Sequence, residues 1–338
     1  MTTLRRTTTL LLAMLIPLAA SAAAFSPAAP ALPALPDDAL GAARAASLLH
    51  GALAMPSLPA GEPVARFLAA FDAFDAATRA GDAPSILGAR LALLEAALAL
   101  RGIEHDDIIA PPAMILRFSV SDDVYTEDVA LVYDAGGNDV YLNNAGGNGM
   151  FAYVEWCLTS GTPVAAALFD IAGDDTYGDL YRGCGVLGGG AGGSGMLYDE
   201  AGNDVYMASN DGTIGGATNG FGFLLDVEGD DRYIAGGWGT NGGGFPGGFG
   251  TLIDLGGHDR YSATHDAVNG GGLLGRGFLY DAWGDDVYLA WGSGANGGGL
   301  GGFGLLLDEG GRDWYDDNEA VGWDLTVVPK LMGAQVDR

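Results

Sequence analysis

Only two cysteines, Cys157 and Cys184, occur in 338 residues. That excludes a dense disulfide framework and any Cys-rich zinc site. Cationic side chains are scarce as well: 15 Lys and Arg stand against 43 Asp and Glu, a formal net charge of -28. Such a balance excludes nucleic acid as a partner, disfavours anionic membrane surfaces and favours cations. HExxH, CxxC and nucleophile-elbow patterns are missing. The GxGxxG strings lack the strand–turn–helix setting and the Lys of a phosphate site, so they read as corners of a repeat. The apolar run from Leu10 to Ala20 is too short for a comfortable membrane span, and no span is expected after it is removed.

That run reads as the core of a secretory signal peptide over residues 1–24. Arg5 and Arg6 precede it, and Ala20-Ser21-Ala22 or Ala22-Ala23-Ala24 supplies the cleavage site. The expected location is therefore periplasmic, cell-surface or extracellular. The Arg pair also hints at a twin-arginine route, although Thr7, Thr8 and Thr9 follow where such signals turn apolar. Residues 25–36 form an Ala/Pro linker. Residues 37–112 are helical in pattern, with Val64, Phe67, Leu68, Phe71 and Phe74 on one face and a second helix starting near Pro84. This segment reads as a cap over a solenoid end, with a separate interaction domain as runner-up. Residues 319–338 read as a C-terminal cap or tail.

Glycine is abundant, at 58 residues. Much of it belongs to a phrase written seven times: aliphatic, any residue, Asp, two residues, Gly, one residue, Asp, one residue, Tyr. The copies start at Asp134, Asp170, Asp199, Asp226, Asp254, Asp281 and Asp308, with spacings of 36, 29, 27, 28, 27 and 27. A period in this range marks a repeat architecture and is too short for a four-stranded propeller blade. A degenerate copy precedes them, keeping Asp123 and Tyr125 but with Phe118 and Ser121 in place of Asp and Gly.

The phrase predicts its own strands. Two residues before each leading Asp stands Val132 or a Leu, and in the last five copies Gly stands four and six residues before it. This period of two is a strand signal. The residues just before the Asp, from Tyr133 to Leu307, are also largely apolar, so the sheet is packed on both faces. Its second cover is the helical segment or another subunit, which makes a homo-oligomer through this face a further expectation. Asp-x-x-Gly matches a type I turn. The following Asn138, Asp174, Asn203, Asp230 and Asp285 tolerate left-handed geometry. Residues 113–318 are thus expected to form a mainly β, parallel β-solenoid of seven repeats plus the degenerate rung, right-handed by the crossover rule. Cys157 and Cys184, one period apart, are expected to form a disulfide between coils, worth roughly 3 kcal/mol.

Stacking gathers the carboxylates into two columns. One holds the seven leading Asp residues; the other holds Asp139, Asp175, Asp204, Asp231, Asp259, Asp286 and Asp313. Two unit charges 4.8 Å apart repel by about 0.9 kcal/mol in water and roughly 3.5 at an effective dielectric of 20. Side chains then splay, bond to backbone N–H groups or bind cations, and calcium suits best. Gly-Asn-Asp-Val-Tyr at 137–141 and 202–206, and Gly-Asp-Asp-Val-Tyr at 284–288, resemble the calcium-binding nonapeptide of RTX β-rolls. The resemblance implies that the second column ligates calcium; the period of about 27 and the Asp in place of the opening Gly depart from that family.

Two functions remain on the sequence. The leading one is a structural or binding module, calcium-stabilised, whose partner is a polysaccharide or cell-surface component. The alternative is a polysaccharide-acting β-helix enzyme, a lyase or glycoside hydrolase using Asp carboxylates. Every coil carries the same Asp pair, which argues against a catalytic centre. The breaks in the repeat are His258, His265 and Arg312. Trp238, Trp283, Trp291, Trp314 and Trp323 cluster late in the chain, as core, subunit contact or sugar-stacking strip.

Overall fold

The computed structural model describes residues 62–81, 83–111, 113–149, 165–179 and 183–318. The expected signal peptide, the Ala/Pro linker, Cys157, Trp323 and the tail lie outside these residues. The chain divides into two compact units, residues 1–103 and 104–338.

The first unit contains two helices, α1 (Glu62–Ala80) and α2 (Ala83–Leu98). Val64, Phe67 and Phe74 bury one face of α1 at helical spacing. Pro84 falls in the first turn of α2, where its missing N–H costs nothing. Leu93, Leu94, Ala97 and Leu98 of α2 are buried, and the Arg90 guanidinium lies 5.8 Å over the Phe74 ring. No helix among the described residues is long and apolar enough to cross a membrane.

The second unit is a β-solenoid of stacked parallel strands. Its first sheet carries the strands that end in the leading Asp: Leu131–Asp134, Ala165–Asp170, Ser194–Asp199, Leu224–Asp226, Phe249–Asp254, Arg276–Asp281 and Phe303–Asp308. Met114–Leu116 adds the degenerate rung, and Ile108–Ala110 pairs with it antiparallel. The register is the one the repeat predicts, with Asp134 opposite Asp170, Asp254 opposite Asp281 and Asp281 opposite Asp308. A second, eight-stranded sheet holds the motif tyrosines in register from Tyr125 to Tyr315. A third, five-stranded sheet, from Gly190–Ala191 to Gly299–Leu300, was not anticipated; the glycine-rich segments read only as returns. Seven coils thus carry the motif strand, and five close on all three sides.

The interior is built from columns. Leu168, Leu197, Leu224, Leu252 and Leu279 are fully buried and line up with the tyrosines and with Ala208, Ala235 and Ala263. Eight tyrosine rings, from Tyr125 to Tyr315, stack with centroids 4.6–4.8 Å apart and planes within 6°. Facing rings at this distance are attractive when offset, and the coil rise imposes the spacing. The other face of the first sheet is buried too: Tyr133, Phe169, Tyr198, Leu225, Ile253 and Tyr280 have no exposure.

One corner repeats a left-handed pair, such as Ile214-Gly215 (φ 54° and 66°) and Asn241-Gly242 (φ 48° and 70°). Two successive residues at positive φ are the requirement of a type I′ turn, which Asn-Gly meets best. In the last three coils Asn241, Asn269 and Asn296 form a side-chain ladder, each Nδ2 donating to the next Oδ1 at 2.9 Å.

Cys184 is buried and disulfide-bonded. The chain's other cysteine, Cys157, lies outside the described residues.

Candidate metal centre

Each leading Asp ends a strand with its side chain in the solenoid interior. In Asp226 and Asp281 its Oδ1 is buried with no partner; in the other five Oδ1 accepts the N–H two residues on, as Asp134 does from Gly136 at 2.8 Å and Asp254 from Gly256 at 3.0 Å. This Asx bond closes the turn with no metal. Its Oδ2 meets tyrosine hydroxyls. Tyr141 donates to Asp170 at 2.5 Å, Tyr206 to Asp226 at 2.6 Å and Tyr233 to Asp254 at 2.8 Å; Tyr125 and Tyr177 bond in the same way to Asp134 and Asp199. The tyrosine of one coil reaches the leading Asp of the next, and several also reach their own.

Tyr261 makes the chemistry explicit. Its hydroxyl lies 3.0 Å from Asp254 Oδ2 and 2.8 Å from Asp281 Oδ2. A phenol has one proton, so it donates to one carboxylate only. The other contact is favourable when that carboxyl carries its own proton. Replacing Tyr261 by Phe removes both contacts from a dry interior. We expect a loss of about 2–3 kcal/mol in denaturant unfolding, and a loss below 0.5 would show that these bonds are energetically idle.

The second Asp of each motif does a different task. Its Oδ1 accepts the N–H of the second Asp one coil earlier: Asp139 N–H to Asp175 at 2.5 Å, Asp204 N–H to Asp231 at 2.6 Å, Asp259 N–H to Asp286 at 2.7 Å. Its Oδ2 is left over. In Asp139, Asp204, Asp231, Asp259 and Asp286 that oxygen is buried with no hydrogen-bond partner. Buried polar atoms are ordinarily satisfied, so five equivalent orphans in one column need an explanation.

The orphans converge. Asp139, Asp170 and Asp175 bring carboxylate oxygens within 4.8 Å of one another, as do Asp175, Asp199 and Asp204, then Asp204, Asp226 and Asp231, and so on along the rod. Each group joins a leading Asp to the second Asp of its own coil and of the coil before. The expected ligands from Asp134 to Asp259 fall in these groups, and the structure adds Asp123 of the degenerate rung to the first. In the sequence Asp123 marks only the register; its partnership follows from stacking.

Burial pushes these carboxyls up. Asp175 and Asp308 rise to about 6, Asp226 to about 7, Asp134 and Asp286 to about 8, and Asp204 to about 9. Asp231 and Asp259 rise to about 12, by burial first and then by repulsion from the flanking leading Asp residues. The tyrosine hydroxyls rise too, by burial and then by the carboxylates beside them, so they stay protonated donors. A column in this state holds protons or cations.

The structure corrects the expectation of left-handed geometry at the residue between Gly and the second Asp. None of Asn138, Asp174, Asn203, Asp230 or Asp285 has positive φ. They are acceptors instead: Asn138 Oδ1 takes the Asp174 N–H at 2.8 Å, Asp230 Oδ1 the His258 N–H at 2.9 Å, and His258 Nδ1 the Asp285 N–H at 2.8 Å. This explains why Asn, Asp and His interchange there. Arg312, which accepts nothing, ends the series as donor to Asp285 Oδ1 at 2.9 Å. His258 and Arg312 therefore sit two coils apart on an exposed turn. His265, also exposed, stands beyond the other end of Arg260–Ala263, 5.7 Å from Trp238. The three breaks in the repeat do not converge.

Comparison with family models, curated proteins and solved structures finds no match to this chain.

Proposed function

We propose that this chain is an exported structural or binding module whose solenoid is stabilised by calcium held between its coils. The observation that carries the reading is the set of buried, unpartnered Oδ2 atoms, each within a group of three carboxylates. The donors suit a hard cation: all are carboxylate oxygens, with no nitrogen or sulfur. Charge supports it as well, since two carboxylates per coil match one divalent cation per coil. Export rests on the signal-like residues 1–24 and places the chain where calcium is plentiful. With each coil offering the same site, the ions would act on the fold rather than at a single reacting centre.

Thermal melting of the exported protein in calcium and in chelator tests this. Calcium at 100 times its Kd at one site adds about 2.7 kcal/mol, and several coupled sites add more. An unchanged melting temperature, together with no calcium by elemental analysis, would sink the idea. Asp231→Asn sharpens the test because its sign inverts. In chelator the variant removes the cost of protonating a buried carboxylate while its Oδ1 still accepts the Asp204 N–H, so it should melt higher than wild type. In calcium it loses a ligand and should melt lower.

A further inference from the structure

Basic residues are few in this chain, yet two of them are stacked on each other. Arg232 and Arg260 are direct register partners in the second sheet. Both are exposed, on the face opposite the inward Tyr233 and Tyr261. Among the described residues neither guanidinium joins an ion pair or hydrogen bond. Like charges in adjacent positions of a sheet are destabilising. The same outward column uses Thr176, Val205 and Val287 in other coils, so folding does not demand Arg here. In a protein of net charge -28, carboxylates to neutralise these side chains are plentiful, and among the described residues none pairs with them.

The column continues through Val287 to Trp314, which is 58% exposed. Trp314 stands two coil steps from Arg260, roughly 10 Å. Trp291, 44% exposed, ends the neighbouring strand. An unpaired Arg pair and bare indole rings thus share one flat face.

We propose that the outer face of the second sheet binds an acidic polysaccharide, with Arg232 and Arg260 holding its carboxylate or sulfate groups and Trp314 stacking on a sugar ring. The guanidinium fork matches a carboxylate bidentately, and an anion between two stacked forks removes their repulsion. An indole face offers a rigid apolar plane to the C–H face of a sugar. The overall negative charge repels a polyanion at long range, so recognition is short-range. This surface rests on the binding-module part of the proposed function and not on the ion.

Affinity electrophoresis of the exported protein in calcium buffer tests it, with polygalacturonate, dextran sulfate or neutral dextran in the gel. We expect retardation by an acidic polymer and not by dextran. Polygalacturonate alone points to carboxylate recognition, dextran sulfate alone to sulfate, and both to either anion. R232Q/R260Q should weaken retardation at least tenfold and W314A several-fold. The double variant should melt no lower than wild type, since it removes a like-charge pair, which separates lost binding from lost folding. No retardation by either acidic polymer, equal retardation of the double variant, or equal retardation in dextran overturns the proposal. A protein that binds no polymer but still melts higher in calcium loses this surface and keeps its calcium-stabilised solenoid.

Discussion

Freed of divalent cations, the protein is expected to melt at least 10 °C lower at pH 8 than at pH 5, on the order set by the carboxyl shifts below. The sign follows from proton linkage. Asp175 and Asp308 have an ordinary value of 3.8 and rise to about 6 in the fold, chiefly through burial. The folded state therefore binds protons more tightly than the unfolded chain. Their contribution is intact below about pH 4 and is lost as pH rises through 6, about 3 kcal/mol each in all, of which roughly half is left to lose above pH 5. Asp226, Asp134 and Asp286, at about 7 to 8, carry the loss on to pH 8. Each kcal/mol is worth roughly 2–4 °C in a unit of this size, so the five carboxyls together give the stated drop. Calcium replaces the protons and should flatten the profile. Melting curves in chelator and in calcium across pH 4 to 9 decide the matter; a chelated protein that grows more stable toward pH 8 would show that the columns are not strained by their charge.

Gly229→Ala is expected to cost more than about 4 kcal/mol, at the extreme of single substitutions. A Cβ at Gly229 would stand 1.7 Å from the Gly202 carbonyl oxygen of the preceding coil, and at Gly257 only 1.5 Å from that of Gly229. The obstacle is backbone, so no side chain can swing away. The control is Gly88→Ala in α2, where nothing lies within 4 Å. That change should stabilise its helix by about 0.5–1 kcal/mol, because Ala restricts the unfolded chain. Denaturant titration of both variants measures the contrast; a loss under 1 kcal/mol for Gly229→Ala would mean that adjacent coils are not in this close approach.

The same glycine shows what a linear sequence conveys and what it withholds. The period, the leading Asp and the Leu two residues earlier were enough to set strand and register, because strand periodicity acts over neighbouring positions. The reason for the motif Gly was not legible. Its place as fourth residue of a turn suggested local geometry, whereas the constraint is a carbonyl 27 or 28 residues away in the chain. The tyrosine was hidden in the same manner: seven residues after Asp it reads as the start of a new strand, and only closure of the coil brings its hydroxyl onto that carboxylate. Likewise both Asp columns were visible, but the division of labour was not. Which oxygen is spent on Asx turns, tyrosines or the previous coil, and which is left free, depends on three-dimensional aim. The turn residues from Asn138 onward suggested left-handed geometry, whereas what the turn needs is any short acceptor, and the last coil, with Arg312, needs none.

That turn has a direction, and direction has a genetic consequence. Along the exposed position, each side chain accepts from the coil that follows; along the second Asp, each accepts from the coil that precedes. Interior coils are thus interchangeable parts with matching ends, while the first and last are not. A deletion of one whole period from the middle would rejoin both ladders, whereas the loss of a few residues would offset every column at once. The gene for such a rod can lengthen or shorten in steps of about 27 codons between two fixed terminal coils, and hardly at all in any other increment.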